Sequence, residues 1–163
     1  MSSRRPVATG GLFAFVALAS FGAVAAALVS QHAYGMEPCP WCVLQRLIFL
    51  VMGAFALLGL AWRGRAGSVV AGAITLLFAI SGLASALWQH LVAARSASCN
   101  LTLADRIVSA TTLDNLLPDV FAARASCADA AVDLFGVPYA LWAAALFVLC
   151  AVAMIQAIRV AAR

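Results

Sequence analysis

The sequence predicts an all-α membrane protein, a four-transmembrane-helix bundle with two outward (periplasmic) loops. The 163-residue chain is 66% hydrophobic and only 10% charged, whereas soluble domains are about 25% charged. Four apolar runs each have the length of about 20 residues that one membrane span needs, and they cover about 11–30, 43–62, 69–88 and 139–158. The length suits a single integral membrane domain, 1–163.

The first run, 11–30, is uncharged and follows a polar start that contains Arg4 and Arg5. A cleaved signal peptide is the alternative, but its apolar core is usually only about 7–15 residues long. Three further apolar runs follow, of which 43–62 carries one charge and the other two carry none. We therefore expect the first run to be a span like the other three.

Arginine positions predict the orientation of the bundle. With four spans, both termini lie on one side, and cytoplasmic segments are rich in arginine and lysine. Six arginines fall on the side of the termini: Arg4, Arg5, Arg63, Arg65, Arg159 and Arg163. The loops at about 31–42 and 91–138 are therefore expected to face outward, and they hold all six acidic residues.

The net charge of +4 comes entirely from arginine, since the chain has no lysine. A basic balance can indicate nucleic-acid binding. Here the arginines are scattered between apolar runs and form no cluster, so we expect no nucleic-acid partner.

The chain has five cysteines, and four of them lie in the two outward loops. This count fits two pairs and one unpaired residue, and disulfides persist in oxidising compartments such as the periplasm. Cys150 lies inside the last apolar run and is expected to be a small core residue. The other four are the candidate catalytic residues: Cys39, Cys42, Cys99 and Cys127.

The motif Cys39-Pro40-Trp41-Cys42 opens the second span. Cys42 is expected at the start of a helix, where the dipole and the free N–H groups stabilise a thiolate. Zinc binding is the alternative, with four ligands drawn from the cysteines or from a set that includes His32 or His90. Because Cys99 and Cys127 do not form a second closely spaced pair, we favour a redox pair and expect no metal.

Arg46 is the only charge inside the second run and lies one helical turn beyond Cys42. An arginine at mid-membrane costs about 2.5–3.5 kcal/mol on insertion scales, and less near the edge. The side chain could simply extend to the headgroups. The functional alternative is that the guanidinium stabilises an anion beside Cys42, such as a thiolate or a reduced cofactor oxygen.

An apolar stripe lies in the long outward loop at helical spacing, interrupted by Pro118. It consists of Leu113, Leu116, Leu117, Val120 and Phe121. The stripe could rest on the membrane surface or pack against the first loop, and the sequence favours neither.

Several of these features together resemble the bacterial disulfide bond formation protein B (DsbB) family, which are quinone-linked thiol oxidases. The resemblance extends over the whole chain and is carried by Gln31-His32, Pro38-Cys39-Pro40-Trp41-Cys42, Arg46, Gln89-His90, Cys99, Ser126-Cys127-Ala128 and Asp133-Leu134-Phe135-Gly136. Gln45 stands where some members have glutamate.

The resemblance implies a relay of thiol–disulfide exchanges. A reduced periplasmic thioredoxin-like oxidase of the DsbA type attacks Cys99 of a Cys99–Cys127 disulfide, the freed Cys127 attacks Cys39, and Cys42 is released as a thiolate. Cys42 then passes electrons to a membrane quinone, either ubiquinone or menaquinone, with Arg46 beside the quinone oxygen.

The resemblance also sets three further expectations. His90 joins Cys42 and Arg46 as a candidate cofactor-binding residue, although a histidine at the end of a span is more often interfacial. The membrane is the bacterial inner membrane, with both termini cytoplasmic. The partners are the membrane lipid, its quinone pool and the DsbA-type protein.

Two other functions remain open from the sequence alone. An enzyme of the vitamin K epoxide reductase type is also a helical bundle with two cysteine pairs, but its C-x-x-C is expected in a later span. A non-enzymatic membrane protein with a disulfide- or zinc-stapled loop is the other. A free-thiol assay during turnover with a partner separates it from an enzyme.

Overall fold

The computed structural model describes residues 4–62, 64–95 and 102–162, and its main elements are four long helices. They are α1 (Arg4–Tyr34), α2 (Pro40–Ala61), α3 (Arg65–Leu91) and α7 (Tyr139–Ala162). All four are long and apolar enough to cross a membrane. The all-α, four-helix membrane fold predicted from the sequence is thus confirmed.

The four long helices pack in a ring in which each contacts its two neighbours, in the order α1, α2, α3, α7. Helix α2 is the most buried of the four. Large apolar side chains fill the centre of the ring: Phe13, Met52, Phe147 and Met154. The C-x-x-C motif therefore lies at the outer end of the most buried helix, α2.

Glycines let bulky side chains enter the gaps between the helices. Gly82 on α3 faces Phe147 so closely that a Cβ on Gly82 would collide with the aromatic ring. The same ring is stacked on Phe49 of α2, with ring centroids 4.0 Å apart and an interplanar angle of 7°. The Phe147 ring is therefore held between α3 and α2 with no room to move toward either.

The long loop forms a cap of short helices over α2. It contains α4 (Leu103–Ala110), α5 (Leu113–Leu116) and α6 (Pro118–Phe121), preceded by a 3₁₀ turn at Ala93–Arg95. Thr102 and Asp105 form a capping box that starts α4. Ala104 and Val108 are buried on the face of α4 toward α2.

The apolar stripe of the loop is divided at Pro118, where α5 has ended and α6 begins. Phe121 is buried in the protein, whereas Leu116 and Leu117 are exposed. The structure therefore supports internal packing for the two ends of the stripe, since Leu113 is also half-buried against the core, and leaves its middle uncovered.

A two-stranded antiparallel hairpin precedes α7, which the all-helical prediction did not include. It pairs β1 (Asp133–Leu134) with β2 (Val137–Pro138). Phe135 and Gly136 at its tip both have positive φ, 55° and 77°, as a type I′ turn requires. The hairpin is tied to α7 because Trp142 Nε1 donates to the Leu134 carbonyl at 3.2 Å.

We expect Gly82→Ala to destabilise the bundle, because the new methyl group would press Phe147 against Phe49. Overpacking of this kind costs about 1–3 kcal/mol. The measurement is thermal unfolding in detergent. Gly22→Ala is the matched control, because nothing lies within 4 Å of its Cβ position.

Phe147→Leu should restore part of the lost stability when combined with Gly82→Ala, because it makes room for the methyl group. Equal melting temperatures for Gly82→Ala and Gly22→Ala would show that this packing is looser than described.

Candidate redox site

Three cysteine sulfurs lie in a row at the outer end of α2. Cys39 Sγ is 2.9 Å from Cys42 Sγ, and on its other side Cys39 is hydrogen-bonded to Cys127. The sulfurs of a disulfide are about 2.03–2.05 Å apart, so a small side-chain movement would join Cys39 and Cys42. Cys39 is therefore placed to exchange a disulfide bond with both neighbours.

The start of α2 fixes the first two of these sulfurs. Cys39 is the N-cap residue, with extended φ and ψ of −85° and 168°. Its sulfur accepts a hydrogen bond from the Cys42 backbone N–H at 3.4 Å. Pro40 occupies the first turn, where a missing N–H costs no helical hydrogen bond. The local sequence thus holds Cys42 in the first turn of the helix.

Backbone hydrogen bonds hold the loop that carries Cys127 against the C-x-x-C segment. The N–H groups of Arg124 and Ala125 both donate to the Pro38 carbonyl, at 3.0 and 3.3 Å. The Trp41 N–H donates to the Cys127 sulfur. Cys127 is buried as a result, although 85 residues of chain separate it from Cys42.

The contact between Cys39 and Cys127 shifts their pKa values in opposite directions. Hydrogen bonding to Cys127 and then to Cys42, together with burial, raises the pKa of Cys39 above its usual range. The same contact with Cys39 lowers the pKa of Cys127. Cys127 is therefore the readier of the two to become a thiolate, which is the attacking form in disulfide exchange.

Arg46 points into the protein and does not extend to the headgroups, and only 5% of it is exposed. Its Nη1 donates to Gln31 Oε1 at 2.7 Å and to the Val120 carbonyl at 2.9 Å. Its Nη2 makes a longer bond to the Ala27 carbonyl at 3.5 Å. Among the described residues, Nε is buried without a hydrogen-bond partner.

Two glutamines complete the polar surroundings of Cys42. Gln89 Nε2 donates to Cys42 Sγ at 3.1 Å, and Gln45 Nε2 donates to Gln89 Oε1 at 2.6 Å. Both glutamines are buried. Cys42 Sγ thus accepts a hydrogen bond from a side chain of α3 and also contacts the sulfur of the N-cap residue Cys39.

A cavity of about 820 Å³ opens beside this polar cluster. Its polar wall includes Cys42, Gln45, Arg46 and Gln89, the acidic residues Glu37 and Asp129 also line it, and the remainder is mostly apolar and lies between α1, α2 and α7. Small side chains on α1 and α7 leave this space open: Ala23, Ala26, Ala27, Ala140, Ala143 and Ala145.

The predicted site residues fall into three groups. Cys39, Cys42, Cys127 and Arg46 lie together at the outer end of α2. Cys99 lies outside the described residues. His90 is half-buried but does not line the cavity, whereas the preceding residue, Gln89, does.

The other residues singled out from the sequence lie apart from the polar cluster. His32 is exposed and bonds the Leu28 carbonyl of its own helix. Cys150 is buried in the bundle. In the part of the chain that the structure describes, no group of three or more His, Cys, Asp and Glu side chains is arranged to hold a metal ion.

Sequence reasoning gave no individual role to Gln31, Gln45 or Gln89. Each is a polar side chain at the outer end of an apolar span, and each is buried in the structure. A buried amide needs a hydrogen-bond partner. Three glutamines at one membrane depth were therefore the sequence signal that could have indicated a buried polar cluster.

Fold and site together define a multi-pass membrane protein with a thiol–disulfide redox centre at the end of one helix. Comparison with known proteins agrees with this class. The family model described as Disulfide bond formation protein DsbB matches residues 9–157. The chain therefore belongs to the DsbB family and is a membrane disulfide bond formation protein with an oxidoreductase role.

Individual relatives are similar along most of their length. Disulfide bond formation protein B of Pseudomonas syringae pv. tomato is 36% identical over 131 residues, which are 79% of this chain and 77% of the relative. The protein of the same name from Aromatoleum aromaticum is 35% identical over 153 residues, or 91% and 89% of the two chains. No solved structure gives a significant match.

We expect loss of the Cys39 hydrogen bond to reduce the reactivity of Cys127. In a Cys99→Ala background, where Cys127 is free, Cys39→Ala should raise the pKa of Cys127 and lower its thiolate fraction at neutral pH. A hydrogen bond worth about 0.5–1.5 kcal/mol corresponds to a loss of roughly two- to tenfold. The measurement is the rate of iodoacetamide labelling of Cys127, located by peptide mapping.

Cys39→Ser is the matched control, because a hydroxyl group keeps a donor beside Cys127. Labelling at the parental rate in the Cys39→Ala protein would contradict the lowering of the Cys127 pKa by Cys39.

Proposed function

We propose that this protein reoxidises a periplasmic DsbA-type thiol oxidase and passes the electrons to a membrane quinone. One observation carries the proposal: the cavity meets the sulfur row at Cys42, where the buried Arg46 Nε has no partner among the described residues. Cys42 would thereby take part both in thiol–disulfide exchange and in electron transfer to an acceptor bound in the cavity.

The order of the sulfurs supports a relay in one direction. The incoming partner thiolate attacks Cys99 of a Cys99–Cys127 disulfide, which oxidises the partner dithiol and leaves Cys127 reduced. Cys127, released as a thiolate when the partner attacks Cys99, then attacks the adjacent Cys39 of a Cys39–Cys42 disulfide. The bond between Cys39 and Cys42 breaks, and Cys42 leaves as a thiolate at the cavity wall.

The residues around the cavity fit a quinone. A bound quinone would accept the two electrons and two protons given up when two thiols become a disulfide. The guanidinium of Arg46, which lines the cavity, would hold the carbonyl oxygen of the quinone, and such charge-assisted bonds are stronger than neutral ones. Gln89 and Gln45 close the other side of Cys42.

The apolar part of the cavity fits the long hydrocarbon tail of a membrane quinone. On α7 its lining runs from Tyr139 to Leu149, and ten residues of helix span about 15 Å. The small side chains on α1 and α7 leave this length open from the polar wall toward the interior of the bilayer. Ubiquinone and menaquinone both combine a ring carrying two carbonyls with such a tail.

The membrane orientation belongs to the same proposal. The C-x-x-C motif and the loop that carries Cys127 lie at the same end of the bundle, joined through Pro38. We place this end at the periplasmic face of the bacterial inner membrane, with both termini cytoplasmic. A soluble partner can reach this end from the periplasm, while a lipid-dissolved acceptor can enter between α1 and α7.

The test of the function is quinone reduction by the purified protein with a reduced DsbA-type partner. We expect Cys99→Ala to abolish partner oxidation while a small dithiol still reduces the Cys39–Cys42 pair and consumes quinone. The reason is that the two pairs act in series. Cys150→Ala should retain both activities. Loss of both activities in folded Cys99→Ala protein would contradict the series arrangement.

We expect Arg46→Ala to weaken quinone use by roughly ten- to a hundredfold, since a hydrogen bond to a charged group is worth about 1.5–3 kcal/mol. Partner exchange at Cys99 should be nearly unchanged. Arg46→Lys should recover part of the loss, because it keeps the charge without the planar fork. The measurement is quinone reduction as a function of quinone concentration, beside a stopped-flow mixed-disulfide assay.

Because Arg46 also bonds Gln31 and the Val120 carbonyl, thermal unfolding of each variant must accompany the kinetics. Parental quinone kinetics in folded Arg46→Ala protein would leave Arg46 as a structural link only.

A further inference from the structure

The sulfur of Cys42 lies at the end of a chain of two buried amides. Gln89 Nε2 is 3.1 Å from Cys42 Sγ, and Gln89 Oε1 accepts from Gln45 Nε2 at 2.6 Å. Each glutamine is 5% exposed. The chain crosses from α2 to α3 and back, so it links two helices at the reacting sulfur.

The direction of the two hydrogen bonds follows from their end point. A thiolate is an acceptor only, while a carboxamide has one donor end and one acceptor end. Gln89 stabilises a Cys42 thiolate only when its NH₂ group faces the sulfur. Its oxygen then faces residue 45, which must supply a donor, and Gln45 does so.

Gln45 itself does not contact the sulfur row. Its neighbour Arg46 bonds Gln31 and Ala27 of α1, whereas Gln45 bonds α3 through Gln89. Consecutive residues of a helix point about 100° apart, so one turn of α2 reaches both neighbouring helices. The hydrogen-bonded path from Gln45 to Cys42 therefore passes through Gln89.

We propose that Gln45 is a positioning residue that fixes the amide of Gln89 with its NH₂ group toward Cys42, and so stabilises the thiolate released when Cys39 is attacked. A better-stabilised leaving thiolate accelerates disulfide exchange. This role does not rest on the quinone, because it concerns the sulfur before any acceptor is involved.

Gln45→Glu tests the direction of the chain with little change in size. An ionised carboxylate only accepts, so Gln89 would turn its NH₂ group toward residue 45 and its oxygen toward the sulfur. Gln45→Met removes the donor without adding a charge. Both variants should lower the thiolate fraction of Cys42, and the glutamate should lower it more.

The thiolate fraction is measured by absorbance at 240 nm and by iodoacetamide labelling at neutral pH, without quinone. The full-length chain carries Cys39→Ser, which frees Cys42, and peptide mapping identifies the labelled residue. We expect Gln45→Met to reduce the thiolate fraction roughly threefold to tenfold, in the range of one ordinary hydrogen bond, because the bond lost is between two neutral amides.

A double-mutant cycle separates positioning from direct effects, since a glutamate could also repel the thiolate through its own charge. Each substitution is repeated in a Gln89→Met background, where no amide remains to be oriented. The proposal requires Gln45→Met to add almost nothing there, and Gln45→Glu to add clearly less than in the parent.

Equal losses in both backgrounds would overturn the proposal, and so would a parental thiolate fraction in either single variant. Gln45→Asn shortens the side chain by one methylene and so moves the amide away from Gln89. It replaces the methionine variant in the cycle, with the same expected and contrary outcomes, if thermal unfolding shows that Gln45→Met does not fold.

Discussion

The buried guanidinium of Arg46 joins the three parts of the protein that must meet at the redox centre. It lies on α2, bonds the Gln31 side chain of α1 and bonds the Val120 carbonyl in the loop. An unpaired charge at this depth would be costly, so these contacts are necessary if the arginine is to remain buried. They determine where the loop lies, and the loop in turn delivers Cys127 to Cys39.

The same end of α2 explains how neighbouring thiols acquire different tasks. In the reduced protein Cys39 caps the helix and contacts two other thiols, so it keeps its proton. The contact with Cys39 lowers the pKa of Cys127 and so increases the fraction in the nucleophilic thiolate form. Cys42 faces the cavity and the Gln89 amide. Three chemically identical side chains are thus differentiated by hydrogen bonding and position alone.

The bundle and the cysteine cluster could be predicted from sequence because both rest on strong local signals: long apolar runs and a C-x-x-C at a helix start. The environment of Arg46 could not, because spacing along α2 does not reveal the Val120 carbonyl that a distant loop supplies. The place of Gln89 could not be predicted for a similar reason, because only the packing of α3 on α2 shows that Gln89 lines the cavity. Phe135 was missed as a turn residue, since a bulky side chain rarely adopts positive φ.

The cavity and the cap of short helices over α2 meet two different requirements at the same membrane depth. Thiol exchange with a soluble partner needs a route from water, whereas a lipid-dissolved acceptor needs a route from the bilayer. The loop approaches Cys39 from above through Pro38, and the alanine-lined gap approaches Cys42 from the side. The sulfurs of Cys39 and Cys42 are 2.9 Å apart, so in the proposed function a disulfide between them would carry electrons from one route to the other, and the partner and the acceptor would each stay in its own phase.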